Sequence, residues 1–180
     1  MVEVLNTILG EIHGVMEKVK EDEMKGFMDK IEKSRRLFVS GEGRSGFSAR
    51  GFAMRMMHLG YTVYFVGETI TPTMKEGDVW IGVSGSGSSA SVINDAKKAK
   101  KAGCTVLAVT SKRQSPLAEA AEKVLLVPGT VKADAGSERG SVQLLSSLFD
   151  QSLHIVLDAI CLLISYRDEV TNEEAVKAHW

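Results

Sequence analysis

Two segments rich in glycine and serine have the composition of anion-binding loops. The first glycine loop is Gly41–Gly46, with the sequence Gly-Glu-Gly-Arg-Ser-Gly, and the serine loop is Ser84–Ser89, with the sequence Ser-Gly-Ser-Gly-Ser-Ser. Each follows a short apolar run and precedes a segment with helical spacing. Glycines let successive backbone N–H groups converge on one anion, and the next helix N-terminus adds about half a positive charge. Both loops are therefore candidate phosphate-binding sites.

The first glycine loop also matches the pattern G-x-G-x-x-G of dinucleotide-binding proteins. Glu68 follows it by about 20 residues, where such proteins place an acid that binds a ribose hydroxyl. The match is weak on its own, because a tight turn from strand to helix needs glycine only for its backbone shape. A nucleotide-binding module therefore stays open as an alternative.

The serine loop is the more specific of the two. Its hydroxyls are additional donors, and one of them can cap the following helix. The loop lacks the lysine of a Walker motif, and none of its serines lies in a G-x-S-x-G nucleophile elbow. The pattern favours a phosphate cradle over a turn that is merely capped.

Apolar runs alternate with helical spacings along the middle of the chain. The strands are predicted over 37–40, 62–66, 78–83, 105–109 and 124–127, and the helices between them over 46–59, 89–102 and 115–121. Strands rich in Val, Ile and Leu that alternate with helices form a parallel sheet buried on both faces. The fold class is therefore α/β, a flavodoxin-like five-stranded parallel sheet of order 2-1-3-4-5. In this order strands one and three are neighbours, so Arg44 and Ser45 would face the serine loop across one crevice. Such a crevice suits one compact phosphorylated ligand better than an extended dinucleotide.

The ends of the chain are predicted to be helical. Residues 2–34 form an amphipathic arm, 128–141 a loop, Ser141–Tyr166 a long helix and Asn172–Trp180 a short closing helix. The long helix is apolar almost all round, which indicates burial on several sides and hence an oligomer, a dimer or a tetramer. We expect a single domain over 1–180, with an arm at 1–34, an α/β core at 35–166 and a helical tail at 167–180.

Composition narrows the class of protein. The chain has 180 residues, 22 Lys and Arg against 23 Asp and Glu, and a net charge of −1. A near-neutral chain without a basic block lacks the charge pattern of a nucleic-acid binder or a membrane-surface protein. Cys104 and Cys161 lie in apolar runs, as reduced core thiols do, and the N-terminal segment has no signal-type pattern. These features predict a cytoplasmic protein that binds neither nucleic acid nor membrane.

Several stretches resemble the sugar isomerase (SIS) domain family, and within it the 6-phospho-3-hexuloisomerases. They are Gly43-Arg44-Ser45-Gly46, Phe52–Gly60, Val66-Gly67-Glu68-Thr69, Thr71-Pro72, Ser84-Gly85-Ser86-Gly87 and Ser147-Leu148-Phe149. The resemblance covers nearly the whole chain. It implies interconversion of D-arabino-3-hexulose 6-phosphate and fructose 6-phosphate in formaldehyde fixation by the ribulose monophosphate pathway. It also implies no cofactor, no metal and a homo-oligomer, commonly a tetramer, with hexulose-phosphate synthase as the functional partner.

The resemblance assigns the catalytic groups. Moving a ketone from C3 to C2 requires a base that takes a proton from C2 and returns one to C3 through an enediol. The resembling enzymes place a glutamate directly after Ser-Leu-Phe, and here that position is Asp150. The preceding Leu144-Leu145-Ser146 also departs from the Pro-Met-Gly of the family. His179 matches a histidine near the end of the family chain and is the second predicted catalytic residue, acting across a subunit boundary.

The remaining predicted site residues bind substrate. They are Gly43, Arg44, Ser45, Glu68, Ser84, Gly85, Ser86, Gly87, Ser88 and Ser89. No metal ligand is assigned, because His13 and His154 have no partner at metal-binding spacing. A sugar-phosphate sensor with a vestigial Asp150, or another SIS-domain sugar-phosphate isomerase, is the alternative reading.

Overall fold

A computed structural model describes residues 1–179, so Trp180, the last residue of the predicted closing helix, lies outside the described residues. The centre of the fold is one sheet of five parallel strands in the order β2-β1-β3-β4-β5. The strands are β1 (Leu37–Gly41), β2 (Val63–Phe65), β3 (Val79–Val83), β4 (Thr105–Thr110) and β5 (Lys123–Leu126). The observed order and direction confirm the predicted sheet. The chain leaves β1 and β3 toward opposite faces, which opens a crevice between them.

Helices cover both faces of the sheet. They are α1 (Val2–Met16), α2 (Glu21–Met28), α3 (Gly43–His58), α4 (Ala90–Lys101), α5 (Pro116–Ala120), α6 (Ser147–Arg167) and α7 (Asn172–Lys177), with a short 3-10 turn at Gly136–Glu138. Helices α2, α3 and α6 share one hydrophobic core with the sheet, and α4 and α5 pack on the other face. The three central strands, β1, β3 and β4, are buried because apolar side chains from both layers cover them, as the Val- and Ile-rich runs predict.

The predicted N-terminal arm is two helices rather than one. Lys20 has an extended backbone, with φ −94° and ψ 129°, and separates α1 from α2. Three acidic residues, Glu21 to Glu23, follow in the first turn of α2, where the helix dipole favours negative charge. The apolar spacing continues across this break, which is why the sequence pattern did not reveal it.

The long helix begins at Ser147, six residues after its predicted start at Ser141. The carboxylate of Glu11 in α1 accepts hydrogen bonds from Ser141 Oγ at 2.6 Å and from the backbone N–H of Val142 at 2.8 Å. Leu145 then adopts a left-handed backbone, with φ 52°, which a helix cannot contain. The residues before Ser147 are therefore held as a loop beside the crevice.

Helix α6 is long and apolar enough to cross a membrane by length and composition alone. More than half of its most apolar window, 56%, is nevertheless buried inside the protein. It packs along α3 and α1, and Phe149, Leu153 and Ile160 are fully covered. This is the environment of a core helix.

The turn from β1 into α3 depends on the close approach of two glycines. A Cβ atom at Gly46 would lie 2.7 Å from the carbonyl oxygen of Gly41. We therefore expect Gly46→Ala to lower the free energy of unfolding by about 1–3 kcal/mol, because backbone atoms cannot yield as side chains do. Gly14→Ala in α1 is the matched control: it meets no atom within 4 Å and should raise stability by about 0.5–1 kcal/mol. Urea unfolding measures both, and a Gly46→Ala protein as stable as the parent would contradict the prediction.

Candidate active site

One crevice lies at the carboxyl ends of β1 and β3, with a volume of about 360 Å³. Eight of the residues predicted for the site line it: Gly43, Arg44, Ser45, Ser84, Gly85, Ser86, Ser89 and Asp150. The first glycine loop and the start of α3 form one wall, and the serine loop forms the opposite wall. The N-terminus of α6 forms the floor. The structure therefore brings both predicted phosphate-binding loops and the predicted base into one cavity.

Asp150 is the most enclosed charged group of the crevice, with 6% of its surface exposed. Ser45 Oγ donates a hydrogen bond of 2.7 Å to its carboxylate, and Arg44 Nε lies 3.5 Å from the other carboxylate oxygen. Burial raises the pKa of Asp150 above the ordinary value of aspartate, although the bond from Ser45 and the charge of Arg44 act in the opposite direction. A carboxylate with a raised pKa is a stronger proton acceptor, as a general base must be.

Arg44 links the first glycine loop to helix α6. Its Nη1 donates to Ser147 Oγ at 3.2 Å, while its side chain remains 61% exposed on the crevice side. Because one guanidinium has five N–H donors, Arg44 can keep these contacts and still bind an oxygen of a ligand. This makes Arg44 a candidate for stabilising negative charge that develops near Asp150.

The serine loop has the shape of a cradle. Gly87 adopts φ 63°, and a Cβ atom there would lie 2.1 Å from Ser115 Oγ, so only glycine fits the turn. Ser89 is the N-cap residue of α4, and Ser88 Oγ donates to Ser86 Oγ at 2.8 Å. Gly87 and Ser88 do not line the crevice. Gly87 shapes the loop, and Ser88 contacts it through Ser86.

Glu68 lies outside the crevice. It forms an ion pair with Arg50, and the guanidinium of Arg50 stacks 3.8 Å from the centre of the Phe65 ring. The same three side chains line a separate shallow cavity beside the edge strand β2. The structure does not place Glu68 with the other predicted substrate-binding residues. Glu68 therefore does not line the crevice as the ribose-binding acid that the dinucleotide interpretation requires.

His179 lies far from Asp150 within the same chain. Its ring centre is 5.2 Å from that of His58, at the C-terminal end of α3. Helix α3 has 16 residues, a length of about 24 Å, and its other end forms the crevice. Burial lowers the pKa of His58, and the positive charge of Arg55 and the nearby His179 act in the same direction. The two histidines therefore form a second cluster at the opposite end of the domain.

Sequence reasoning missed several lining residues. They are Glu42, Val83, Val131, Lys132, Leu145, Ser146 and Ser147. Ser146 and Ser147 were noted only as parts of motifs and not as lining residues, because the long helix was predicted to begin six residues earlier and to contain both of them. Lys132 belongs to the segment after β5, and the rule that strand carboxyl ends share one edge was the available signal for it.

Comparison with known proteins agrees with this fold. The family model described as SIS domain matches residues 30–152. A protein of Bacillus subtilis named 3-hexulose-6-phosphate isomerase is 34% identical, with 98% of this chain and 96% of that protein covered. A protein of the same name from Mycobacterium gastri is 38% identical, with 97% of this chain and 87% of the relative covered.

A solved structure from Methanococcus jannaschii has the same fold. It superposes with a TM-score of 0.85 at 30% identity, covering 99% of this chain and 98% of that one. Its described function, 3-hexulose-6-phosphate isomerase, was inferred from the structure. The fold and site thus define an α/β phosphosugar-binding domain, and the chain belongs to the SIS domain family.

The bond between Ser45 and Asp150 predicts a change in pH dependence. The carboxylate is the active form of a base, so activity falls as the pH falls through the pKa of Asp150. Ser45→Ala removes a donor that stabilises this carboxylate, so the pKa should rise and the acid limb of kcat/KM should move to higher pH. Ser86→Ala is the control, since it weakens the phosphate cradle without touching Asp150. If Ser45→Ala left the acid limb of the kcat/KM profile in place, this would contradict the assignment of Asp150 as the base.

Proposed function

We propose that this chain is a soluble cytoplasmic isomerase that interconverts D-arabino-3-hexulose 6-phosphate and fructose 6-phosphate. The observation that carries the proposal is the buried Asp150 carboxylate, which shares one small crevice with the serine loop. A phosphate cradle and a base in one cavity suit an enzyme that anchors a sugar by its phosphate and moves a proton on its carbon chain. The names of the full-length relatives agree with this activity.

The serine loop provides the anchor for the substrate phosphate. The backbone N–H groups of Gly85 and Ser86 and the hydroxyls of Ser84 and Ser86 are the proposed donors, and the N-terminus of α4 favours the negative charge. Binding energy at the phosphate fixes the distance between the loop and the reacting carbons. Such positioning turns a bimolecular proton transfer into an effectively intramolecular one.

Asp150 then moves the proton between the two reacting carbons. In the direction of fructose 6-phosphate, its carboxylate takes the proton from C2, and the C–H electrons form the double bond of the enediol while those of the C3 carbonyl pass to oxygen. The protonated Asp150 returns a proton to C3, and the hydroxyl proton of C2 moves to the C3 oxygen. Arg44 stabilises the enediolate charge. The sugar is both oxidised and reduced within itself, so the reaction consumes no external electron carrier.

An oligomer is part of the proposal because a large apolar surface stays open on one chain. Helix α6 exposes Leu162, Leu163 and Tyr166 by 41–68%, and α3 exposes Phe47 and Met54 by 74% and 50%. Apolar patches of this kind on a soluble protein mark interaction sites. A second copy that covers α3 and α6 gives the homo-oligomer, a dimer or tetramer, that the sequence predicts.

His179 can serve a crevice only if it comes from another subunit. Its place beside His58 keeps it about the length of α3 from the Asp150 of its own chain. We therefore keep His179 as the second proton-transfer group of a neighbouring subunit's site. Hexulose-phosphate synthase, whose product is the substrate, is the functional partner within the same compartment.

Replacing Asp150 by Asn should abolish turnover while substrate binding survives, because the amide keeps the shape and loses the proton-accepting charge. The test is a coupled assay that forms fructose 6-phosphate from formaldehyde and ribulose 5-phosphate, with the synthase added. Loss of a general base lowers kcat by about 10²–10⁴-fold. Asp158→Asn is the control, because this exposed carboxylate on the same helix pairs with His154 and does not line the crevice.

The same assay separates the isomerase from its alternatives. Turnover by the parent chain that Asp150→Asn removes supports the isomerase. Binding of fructose 6-phosphate without any turnover by the parent chain leaves a sensor, and full activity of Asp150→Asn would refute the base assignment.

A site shared between subunits predicts complementation. Asp150→Asn and His179→Ala chains should each be inactive alone. Mixed, unfolded and refolded together, they should regain part of the parent activity, because some crevices would combine an intact Asp150 with an intact His179. The pure variants carried through the same refolding are the controls. Mixtures as inactive as their components would contradict the shared site.

A further inference from the structure

The carboxylate of Glu42 reaches from the first glycine loop to the opposite wall of the crevice. Glu42 is the N-cap residue of α3 and has an extended backbone, with φ −124° and ψ 161°. Its two carboxylate oxygens accept hydrogen bonds from the hydroxyls of Ser91 and of Ser89, the latter at 3.3 Å. Glu42 therefore ties the two phosphate-facing loops together at the point where they meet.

This carboxylate occupies the positively polarised end of helix α4. Ser89 is the N-cap residue of this 12-residue helix, yet its hydroxyl does not cap the helix backbone and instead donates to Glu42. The hydroxyl of Ser88 is likewise satisfied within the loop, by Ser86. The hydroxyl of Ser89, at the end of the serine loop, and that of Ser91, in the first turn of α4, thus donate to an internal anion beside the place where the substrate phosphate is proposed to bind.

The crevice has no excess positive charge to offset a second anion. Its charged lining residues in the described part of the chain are Glu42 and Asp150 against Arg44 and Lys132. Arg44 already contacts Asp150. A bound phosphate brings a charge of about −1.5 to −2 at neutral pH. Glu42 therefore disfavours a phosphate in the serine loop unless the same ligand also makes a favourable contact with the Glu42 carboxylate.

A sugar phosphate can give hydroxyl donors. The polyol of a hexulose phosphate has several O–H groups that can donate to Glu42 when phosphate displaces the serine hydroxyls. Inorganic phosphate has only the one or two hydroxyls of the anion itself. A hydrogen bond to a charged acceptor outweighs the repulsion between two solvent-exposed like charges. The same carboxylate thus weakens the binding of a bare phosphate and strengthens the binding of a phosphate attached to a polyol.

We propose that Glu42 is a specificity-determining residue that selects phosphate esters of polyols over inorganic phosphate in the crevice. The inference rests on the proposed function for the nature of the ligand, a sugar phosphate. It assigns to Glu42 a task distinct from that of Asp150, because it concerns which anion enters the site and not the movement of a proton.

The test compares the affinities of the parent chain and Glu42→Gln for inorganic phosphate and for fructose 6-phosphate, by titration calorimetry. Glu42→Gln keeps the size of the side chain and removes its charge. The Kd of inorganic phosphate should fall by about threefold or more, since the repulsion is gone. The Kd of fructose 6-phosphate should rise by about threefold or more, since a charge-assisted bond is lost. The ratio of the Kd of inorganic phosphate to the Kd of fructose 6-phosphate should therefore fall by about tenfold, a change of about 1.4 kcal/mol in selectivity.

An unchanged ratio overturns the proposal. Equal tightening of both ligands would mean that Glu42 only repels phosphate, and equal weakening would mean that it only holds the loops together. Glu21→Gln is the control for net charge, because Glu21 is an exposed residue of α2 outside the crevice. Turnover is measured alongside: a parent chain that binds but does not isomerise refutes the proposed function, whereas an unchanged ratio in an active enzyme refutes only the role of Glu42.

Discussion

The tight passage from β1 into α3 is the constraint on which the site depends. Gly46 lies so close to the carbonyl of Gly41 that α3 can start almost at the end of the strand. This start aims three side chains into the crevice from one short loop, Glu42 toward the serine loop and both Arg44 and Ser45 toward Asp150. A longer or bulkier turn would move all three together. The positions of the two groups that contact the base, and of the loop-bridging carboxylate, are therefore set by backbone packing and not by the polar groups themselves.

Much of this arrangement follows from the sequence because it depends on local rules. The Val- and Ile-rich runs determine a buried parallel sheet, and the order 2-1-3-4-5 places the two loops at one edge, so the presence of Ser45 and the serine loop in one crevice could be predicted. The start of α6 could not, because the bond from Ser141 to Glu11 joins residues 130 positions apart. The position of Glu68 could not be predicted either: its spacing fits a ribose acid, but in the structure it pairs with the guanidinium of Arg50, which stacks on Phe65.

The domain is small, and it leaves one side of the crevice and the apolar faces of α3 and α6 uncovered. A single sheet with one layer of helices on each face gives the crevice a floor and two walls, and the side near Arg44 remains exposed to solvent. The apolar faces of α3 and α6 begin next to this opening and continue to the histidine pair at the other end of α3. In the proposed oligomer the same contact would cover apolar surface and bring His179 to a crevice. Assembly and catalysis would then depend on the same two helices.

The two carboxylates of the crevice differ in their surroundings, and this difference separates their proposed roles. Asp150 is enclosed, burial raises its pKa, and the hydrogen bond from Ser45 and the charge of Arg44 act in the opposite direction. Glu42 is exposed and receives serine hydroxyls that a ligand can replace. A buried acid suits proton transfer, since each change of its charge is strongly felt in a medium of low dielectric constant. An exposed acid suits selection, because it can exchange one hydroxyl donor for another at little cost. A near-neutral chain can in this way recognise a doubly charged substrate with few cations, provided that the polyol contributes the donors that additional lysines would otherwise supply.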